Sequence, residues 1–371
     1  MPVQLVANPF TPSFGEVPLF LAGRDRIIRE MTTAFGRQNR SPELTTLISG
    51  ARGTGKTALL AKIAEIAEQS GWVAVKTIAA PGMLEDIYQH ALRDSQRLVD
   101  GQTSERRLTG IGVGQLLNLE WSVDAQEEGG WRIRVESLLE KLEERGSGLL
   151  VAVDEIDPAV DEMVQLASVY QLLVMDGRRV ALVMAGLPHN IEKAKSNKRI
   201  SFIRRAQQRQ LTRVEDFEVR RAMRKTVELG GRTICDDALD IAVEAAGGFP
   251  FMIQLVGYRM WEETPESAEI TEADALEGAE MARQEMRSYV LESTYRELSD
   301  GDIAFLMAMA EDEGASSLKD IAARLGKPSG HVGTYKVRLL RAGVIGEPDR
   351  NAVEFELPGF KEFLLERLGG M

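Results

Sequence analysis

Gly50-Ala51-Arg52-Gly53-Thr54-Gly55-Lys56-Thr57 satisfies every position of the pattern G-x-x-x-x-G-K-[ST]. Glycines at this spacing let a loop curl until successive backbone N–H groups point inward, as a chain of phosphates requires. A helix starting at Lys56 adds the positive end of its dipole at the same point. Lys56 is long enough to reach the outer phosphates, and the Thr57 hydroxyl is a hard oxygen ligand for Mg²⁺. The residues expected to hold ATP are therefore Gly50, Arg52, Gly53, Thr54, Gly55, Lys56, Thr57 and Ala58. Further along, Leu149-Leu150-Val151-Ala152-Val153 runs into Asp154-Glu155. An apolar run ending in two carboxylates describes a buried strand with acids at its C-terminal tip, the edge where open α/β sheets bind ligands. Asp154 is expected to join Thr57 in the Mg²⁺ shell, and Glu155 to orient and deprotonate the attacking water. With Lys56 these residues supply the chemistry for phosphoryl transfer from ATP to water. Asp157 completes Asp-Glu-Ile-Asp and reads as a solvated or helix-starting residue.

A phosphate loop needs a strand before it and a helix after it. Leu44–Ser49 reads as the strand, and the stretch from Lys56, with Leu59, Leu60, Ile63 and Ile66 at helical spacing, reads as the helix. Trp72–Ile78, Leu149–Val153 and Arg179–Ala185 are further strands. Met83–Val99, Trp131–Glu144 and Ala159–Met175 are helices, the second with Ile133, Val135, Leu138, Leu139 and Leu142 expected inward. Strands this apolar, alternating with helices, predict an α/β fold: a parallel sheet with helices on both faces. Leu108–Val123 is broken by Gly110, Gly112 and Gly114 and predicts a short hairpin or loop insertion; residues 101–130 have no firmer assignment. Beyond residue 212 only helical periodicity remains, over Val214–Leu229, Asp236–Ala246, Phe251–Glu262 and Thr271–Glu292, the last capped by Thr271 with Asp274. Ser316–Leu357 then has the pattern of a winged helix-turn-helix. Its first helix is capped by Ser317 with Asp320 and carries Leu318, Ile321 and Leu325. After the turn Gly326-Lys327-Pro328, a second helix runs from Ser329 to Arg341 with Val332, Val337 and Leu340 inward, and Gly343 stops it. Val344-Ile345 and Val353–Leu357 form the wing. The expected division is an ATPase core over residues 1–212 (1–15 as an N-terminal extension), an all-helical lid over 213–292, and a small α+β winged-helix unit over 293–371.

Bulk properties narrow the class. The 371 residues are 44% hydrophobic and 27% charged, an ordinary globular balance. No apolar run reaches the length of a membrane span, so no membrane partner is expected. Met1–Gly15, with Pro2, Pro9 and Pro12, lacks the basic and apolar regions of a signal peptide. The lone Cys235 excludes an internal disulfide and reads as a small apolar residue in a reducing cytoplasm. A net charge of −12 argues against a surface that coats nucleic acid, though not against one basic face.

Over residues 16–371 the chain resembles the AAA+ and STAND-like ATPases, especially the branch of archaeal-type ATPases and origin-recognition proteins. The resemblance implies further roles. Leu21-Ala22-Gly23-Arg24-Asp25 is similar to the box lining the adenine pocket, which gives Gly23 and Arg24 to the nucleotide; as an alternative, Asp25 simply opens a helix. Val180-Ala181-Leu182-Val183-Met184-Ala185-Gly186 resembles the strand carrying a polar sensor, yet no Asn, Ser or Thr follows it directly, and Asn190 in the next loop is the nearest amide. Ile203-Arg204-Arg205-Ala206 falls where these families place an arginine that reaches a neighbouring subunit's nucleotide. It implies a catalytic Arg205 and ATP-dependent self-association; plain surface charge is the competing view. Gly247-Gly248-Phe249-Pro250 resembles a motif whose proline, Pro250, touches the base; equally, the glycines end one helix and Pro250 starts the next.

In a DNA-binding winged helix the second helix enters the major groove. His331, Thr334, Lys336, Arg338 and Arg341 would face duplex DNA, Tyr335 would pack or touch phosphate, and Lys327 and Arg350 would contact the backbone. Glu311, Asp312, Glu313, Glu347, Asp349, Glu354 and Glu356 nevertheless make the unit acidic. Two functions stay open: an ATP-switched DNA-associated ATPase, and a signalling or scaffold ATPase whose winged helix clamps its own core and whose partner is an unknown protein.

Overall fold

The computed structural model describes residues 7–13, 15–107, 130–349 and 351–369. The expected insertion at Leu108–Val123, Arg350 and much of Met1–Gly15 lie outside the described residues. Among the described residues no helix is long and apolar enough to cross a membrane.

The first unit holds helix α1 (Asp25–Gly36), strand β1 (Thr45–Gly50), α2 (Lys56–Gln69), β2 (Val73–Ile78), α3 (Met83–Arg107), α4 (Trp131–Glu143), β3 (Leu149–Asp154), α5 (Asp161–Met175), β4 (Val180–Gly186), α6 (Pro188–Ser196) and β5 (Gln207–Leu211). All five strands are parallel, in the order β2-β3-β4-β1-β5. Alternate strand residues face opposite ways, so a sheet covered on both faces is apolar at every position. Leu47, Val151, Val153, Leu182 and Met184 pack under α3, α4 and α5, while Ile48, Leu150, Ala152, Ala181 and Val183 pack under α1 and α2. Trp72 fixes the second layer: its Nε1 donates to Phe35 O at 3.0 Å, and its ring meets that of Phe35 edge-on at 5.2 Å.

Three local expectations change. Strand β5 is not predicted by the sequence pattern, because Gln-Gln-Arg-Gln-Leu alternates half-buried and exposed positions at a sheet edge, with Arg209 paired to Glu30 of α1. Ile133 lies on the outer face of α4, 55% exposed, and Trp131 takes the inward place. Asn190 belongs to the first turn of α6, not to a loop.

The lid has α7 (Asp216–Leu229), α8 (Asp236–Ala246), α9 (Pro250–Glu263) and α10 (Glu272–Glu285), joined by a two-residue parallel pair, β6 (Thr233–Ile234) with β7 (Glu269–Ile270). It is therefore helical apart from that pair. Thr271 and Asp274 form the full reciprocal cap of α10. A π-helical turn leads into α11 (Glu292–Glu297).

The last unit comprises α12 (Asp300–Ala310), β8 (Ser316–Ser317), α13 (Leu318–Leu325), α14 (Ser329–Ala342), β9 (Ile345–Asp349), β10 (Ala352–Phe355) and α15 (Phe360–Gly369). Its antiparallel sheet runs β8-β10-β9, the wing of a winged helix with α14 as second helix. Ser317 caps α13 and left-handed Gly343 ends α14. Leu339, not Val337, is the buried partner of Val332: Val337 is 46% exposed. Lid and winged unit share one apolar core, from Val219 and Met260 to Phe305 and Phe363. Cys235, partly buried at the start of α8, packs against it.

Candidate active site

Strand β1 ends at Gly50 and α2 begins at Lys56, so the phosphate loop hangs between an inner strand of the sheet and a helix N-terminus. Only glycine fits position 50, where a Cβ would lie 2.6 Å from Thr54 Oγ1 and 2.9 Å from Leu211 O. Gly53 and Gly55 take φ of 78° and 84°, the left-handed region that a curling loop requires. Thr54 Oγ1 donates to Ala51 O at 2.9 Å and closes the curl. Lys56 Nζ donates to Gly50 O at 2.8 Å and to Ala51 O at 2.6 Å, which lays the amine across the loop. Burial pulls the Lys56 amine down to about 8, while the carboxylates of Asp154 and Glu155 work against that fall.

Strand β3 lies between β2 and β4 and delivers Asp154 to the same edge. Its Oδ2 accepts from Thr57 Oγ1 at 2.6 Å and its Oδ1 from Glu155 N at 2.9 Å. Glu155 has φ of 48°, the only positive value at a non-glycine among the described residues. Such a backbone persists only where its surroundings fix it. Here Asp154 holds one side, and Ile156 N, donating to Ala185 O at 2.9 Å, draws the chain back over β4. Asp157 accepts from Ala159 N at 2.9 Å, which makes it the turn residue leading to α5.

The residues expected around the base come from distant parts of the chain. Arg24 is buried, and its Nη2 donates to Thr54 O at 3.3 Å and Thr212 O at 2.9 Å; desolvation lowers its pKa. Arg24 thus ties the phosphate loop to the end of β5. Asp25 pairs with Arg221 of α7. A Cβ on Gly23 would lie 3.2 Å from Val214, whose N–H donates to Gly248 O at 2.8 Å. Pro250 opens α9, and its ring stands where a Cβ on Gly55 would meet it at 3.5 Å. Gly23 and Gly248 are thereby gathered around Val214, a residue that the motifs did not single out, while Pro250 faces Gly55.

Arg204 Nε donates to Lys195 O at 2.6 Å and so caps α6. Arg205 is exposed and has no hydrogen bond or ion pair among the described residues. His189, in the first turn of α6, is half-buried; burial lowers its pKa, Lys193 and Arg341 add to the fall, and Asp157 opposes it. Arg341 is thus close enough to α6 for its charge to be felt there.

The winged unit approaches the phosphate loop directly. A Cβ on Gly343 would lie 2.8 Å from Arg52 Cγ, so the Arg52 stem rests on the end of α14. Glu356, just past β10, is partly buried; burial and Glu354 raise its pKa, while the charges of Arg213 and Lys56 oppose the rise. Within the unit, Lys336 Nζ bonds Glu347 at 2.5 Å, and Arg338 holds Asp302 at 2.6 Å and Ser299 at 2.7 Å. Lys327 Nζ donates to Tyr335 OH at 3.1 Å. His331, Thr334 and Arg341 are exposed with Arg338 on the outer face of α14. A shallow groove of about 450 Å³ runs along that face, lined by Gly330, Gly333, Thr334, Val337, Arg338 and Arg341.

Residues 21–183 match the model of the AAA ATPase domain, and residues 288–364 match that of a domain of unknown function, DUF8462. No curated protein matches the chain. Among solved structures, the Walker-type ATPase paby2304 of Pyrococcus abyssi superposes over 93% of this chain and 96% of its own, with a TM-score of 0.62 at 15% identity. The ORC2 protein of Aeropyrum pernix, solved in ADPNP–ADP complexes, does so over 97% and 98%, with a TM-score of 0.57 at 13% identity. At these identities the likeness is one of fold. Phosphate loop, acid-tipped inner strand and domain match agree: the chain is an ATPase that carries an AAA ATPase domain over residues 21–183, on a fold shared with these two archaeal proteins.

Proposed function

We propose that the chain is a nucleotide-driven switch that hydrolyses ATP with Mg²⁺ and transmits the state of the site through its winged helix, whose partner is duplex DNA. The observation that carries the coupling is the rest of Arg52, a phosphate-loop residue, on Gly343 at the end of α14. A loop that rearranges around phosphates cannot leave that contact unchanged. Thr57 and Asp154, a hydroxyl and a carboxylate in mutual contact, are hard oxygen ligands of the kind Mg²⁺ takes. When bound, the ion neutralises charge on the phosphates. Gly50, Gly53, Gly55 and Lys56 hold those phosphates, Glu155 positions and deprotonates water, and Gly23, Arg24 and Pro250 frame the base.

The outer face of α14 favours DNA as partner. It offers His331, Thr334 and Arg341 around Gly330 and Gly333, where the helix carries no side chain to hold a second surface away. Lys336 is committed to Glu347, and it supports the wing rather than contacting a ligand. Arg205, exposed, fits an arginine offered to a second copy of the chain in an ATP-dependent assembly.

The test is the ATPase rate with and without duplex DNA at low and moderate salt. Turnover that changes on adding DNA, with the change fading as salt rises, is the expected result. Hydrolysis indifferent to DNA at both salts removes DNA from the reading and leaves a protein as the partner.

A further inference from the structure

Helix α9 is fixed at two separate places. Its first residue, Pro250, stands against Gly55 of the phosphate loop. Further along, residues 8–11 lie across it. The ring of Phe10 is 2% exposed and sits against Gly257, where any Cβ would run into it. Asn8 Nδ2 donates to Tyr258 O at 3.1 Å and to Glu262 Oε1 at 2.7 Å, and Asn8 Oδ1 accepts from Phe10 N at 3.0 Å. Thr11 N donates to Gln254 Oε1 at 3.0 Å. Gln254 is a buried amide in an otherwise apolar stretch of the helix, a position that is costly without such a partner. The chain that begins on α9 continues to Arg24, whose guanidinium binds Thr54 O in the phosphate loop. One segment of the N-terminus therefore touches both walls of the site.

We infer that residues 8–11 form a positioning strap. Asn8, Phe10 and Thr11 set the tilt of α9, and through it the distance of Pro250 from Gly55, so that the nucleotide pocket is assembled before ATP arrives. Phe10 and Asn8 bind the second half of α9, away from its first residue, and act through Pro250. The inference rests on the nucleotide site proposed above. A preformed site lowers the cost of ordering the lid on binding, so loss of the strap weakens ATP binding while leaving the phosphate-transfer residues in place.

The experiment compares Asn8→Ala, Phe10→Ala and Phe10→Leu with the unaltered chain, by Kd for a fluorescent ATP analogue, KM, kcat and nucleotide-free Tm. Asn8→Ala and Phe10→Ala are expected to raise Kd and KM about tenfold with kcat at saturation held within about twofold. Phe10→Leu, which refills the slot at Gly257, is expected to recover most of the affinity. A lowered Tm with unchanged Kd and KM would make the strap purely structural and overturn the inference, as would a loss confined to kcat. Should Phe10→Ala fail to fold, Asn8→Ala, which removes hydrogen bonds but no buried ring, decides the matter by the same Kd and KM. Lys56→Ala is the control for the underlying site. Normal ATP binding by Lys56→Ala would sink the site itself, whereas lost binding there with unaltered binding in the strap variants sinks only the strap.

Discussion

Asp154 carries two roles at once, accepting from the Thr57 hydroxyl with one oxygen and from the Glu155 amide with the other. That second bond holds Glu155 in a left-handed backbone that glutamate seldom adopts. The pair proposed to hold Mg²⁺ and the residue proposed as base are therefore mechanically linked through one carboxylate. At this scale the expected separation of roles is sharp. Lys56→Ala loses ATP binding, because no other amine in the loop replaces its charge. Glu155→Gln binds ATP with near-normal affinity and hydrolyses it about a hundredfold or more slowly. Equilibrium binding and single-turnover rates on the two variants check both statements, and undiminished turnover in Glu155→Gln would remove Glu155 from the base role.

Helix α14 illustrates how an element uses its charges. A basic stretch on a second winged helix suggests a nucleic-acid face, yet Arg338 spends its guanidinium on Asp302, a carboxylate 2% exposed under the start of α12. Arg338→Ala would leave Asp302 Oδ1 buried without its partner, though Ser299 still holds Oδ2, and is expected to destabilise the chain by about 1–3 kcal/mol, read as a lowered Tm. Loss of DNA binding in that variant would therefore be ambiguous. Thr334 and Arg341, on the same face and outside such pairs in the described residues, are the cleaner probes. A Tm unchanged by Arg338→Ala would mean that the Asp302 pair contributes little. Helix α9 shows the converse: its small residue, Gly257, matters through what it admits, the ring of Phe10.

On the scale of the whole molecule, the winged unit and the lid share a core, and the winged unit also leans on the phosphate loop through Gly343. Glu356 brings a carboxylate into the field of Arg213 and of Lys56, the amine proposed to reach the phosphates. Removing that negative charge relieves like-charge repulsion of roughly 1 kcal/mol, so Glu356→Gln is expected to tighten ATP binding about fivefold. An unchanged Kd for ATP would mean that the carboxylate has no influence on the bound phosphates. The DNA-dependent ATPase measurement and this variant then test the same coupling from opposite ends.

The chemistry-bearing residues were legible in the sequence because they are local: Gly50 to Thr57 and Leu149 to Glu155 each need one strand, one turn and the residue types that fit it. Parallel strands buried on both faces were equally plain, since such strands are apolar at every position. Strand β5 was hidden because an edge strand, half covered by α1, is free to be polar. Ile133 and Val337 were misassigned inward because helical periodicity does not say which neighbours arrive to cover a face. What the tertiary structure alone decided was every relation between distant residues: Arg24 to Thr54 and Thr212, Val214 to Gly248, Phe10 to Gly257, Arg52 to Gly343. Each joins segments well separated along the chain, by a single hydrogen bond or a single missing Cβ, and neither leaves a periodic trace in the sequence. The local motifs determined that this chain handles ATP; the long-range contacts determined how Arg24, Pro250 and Gly343 come to lie against the phosphate loop.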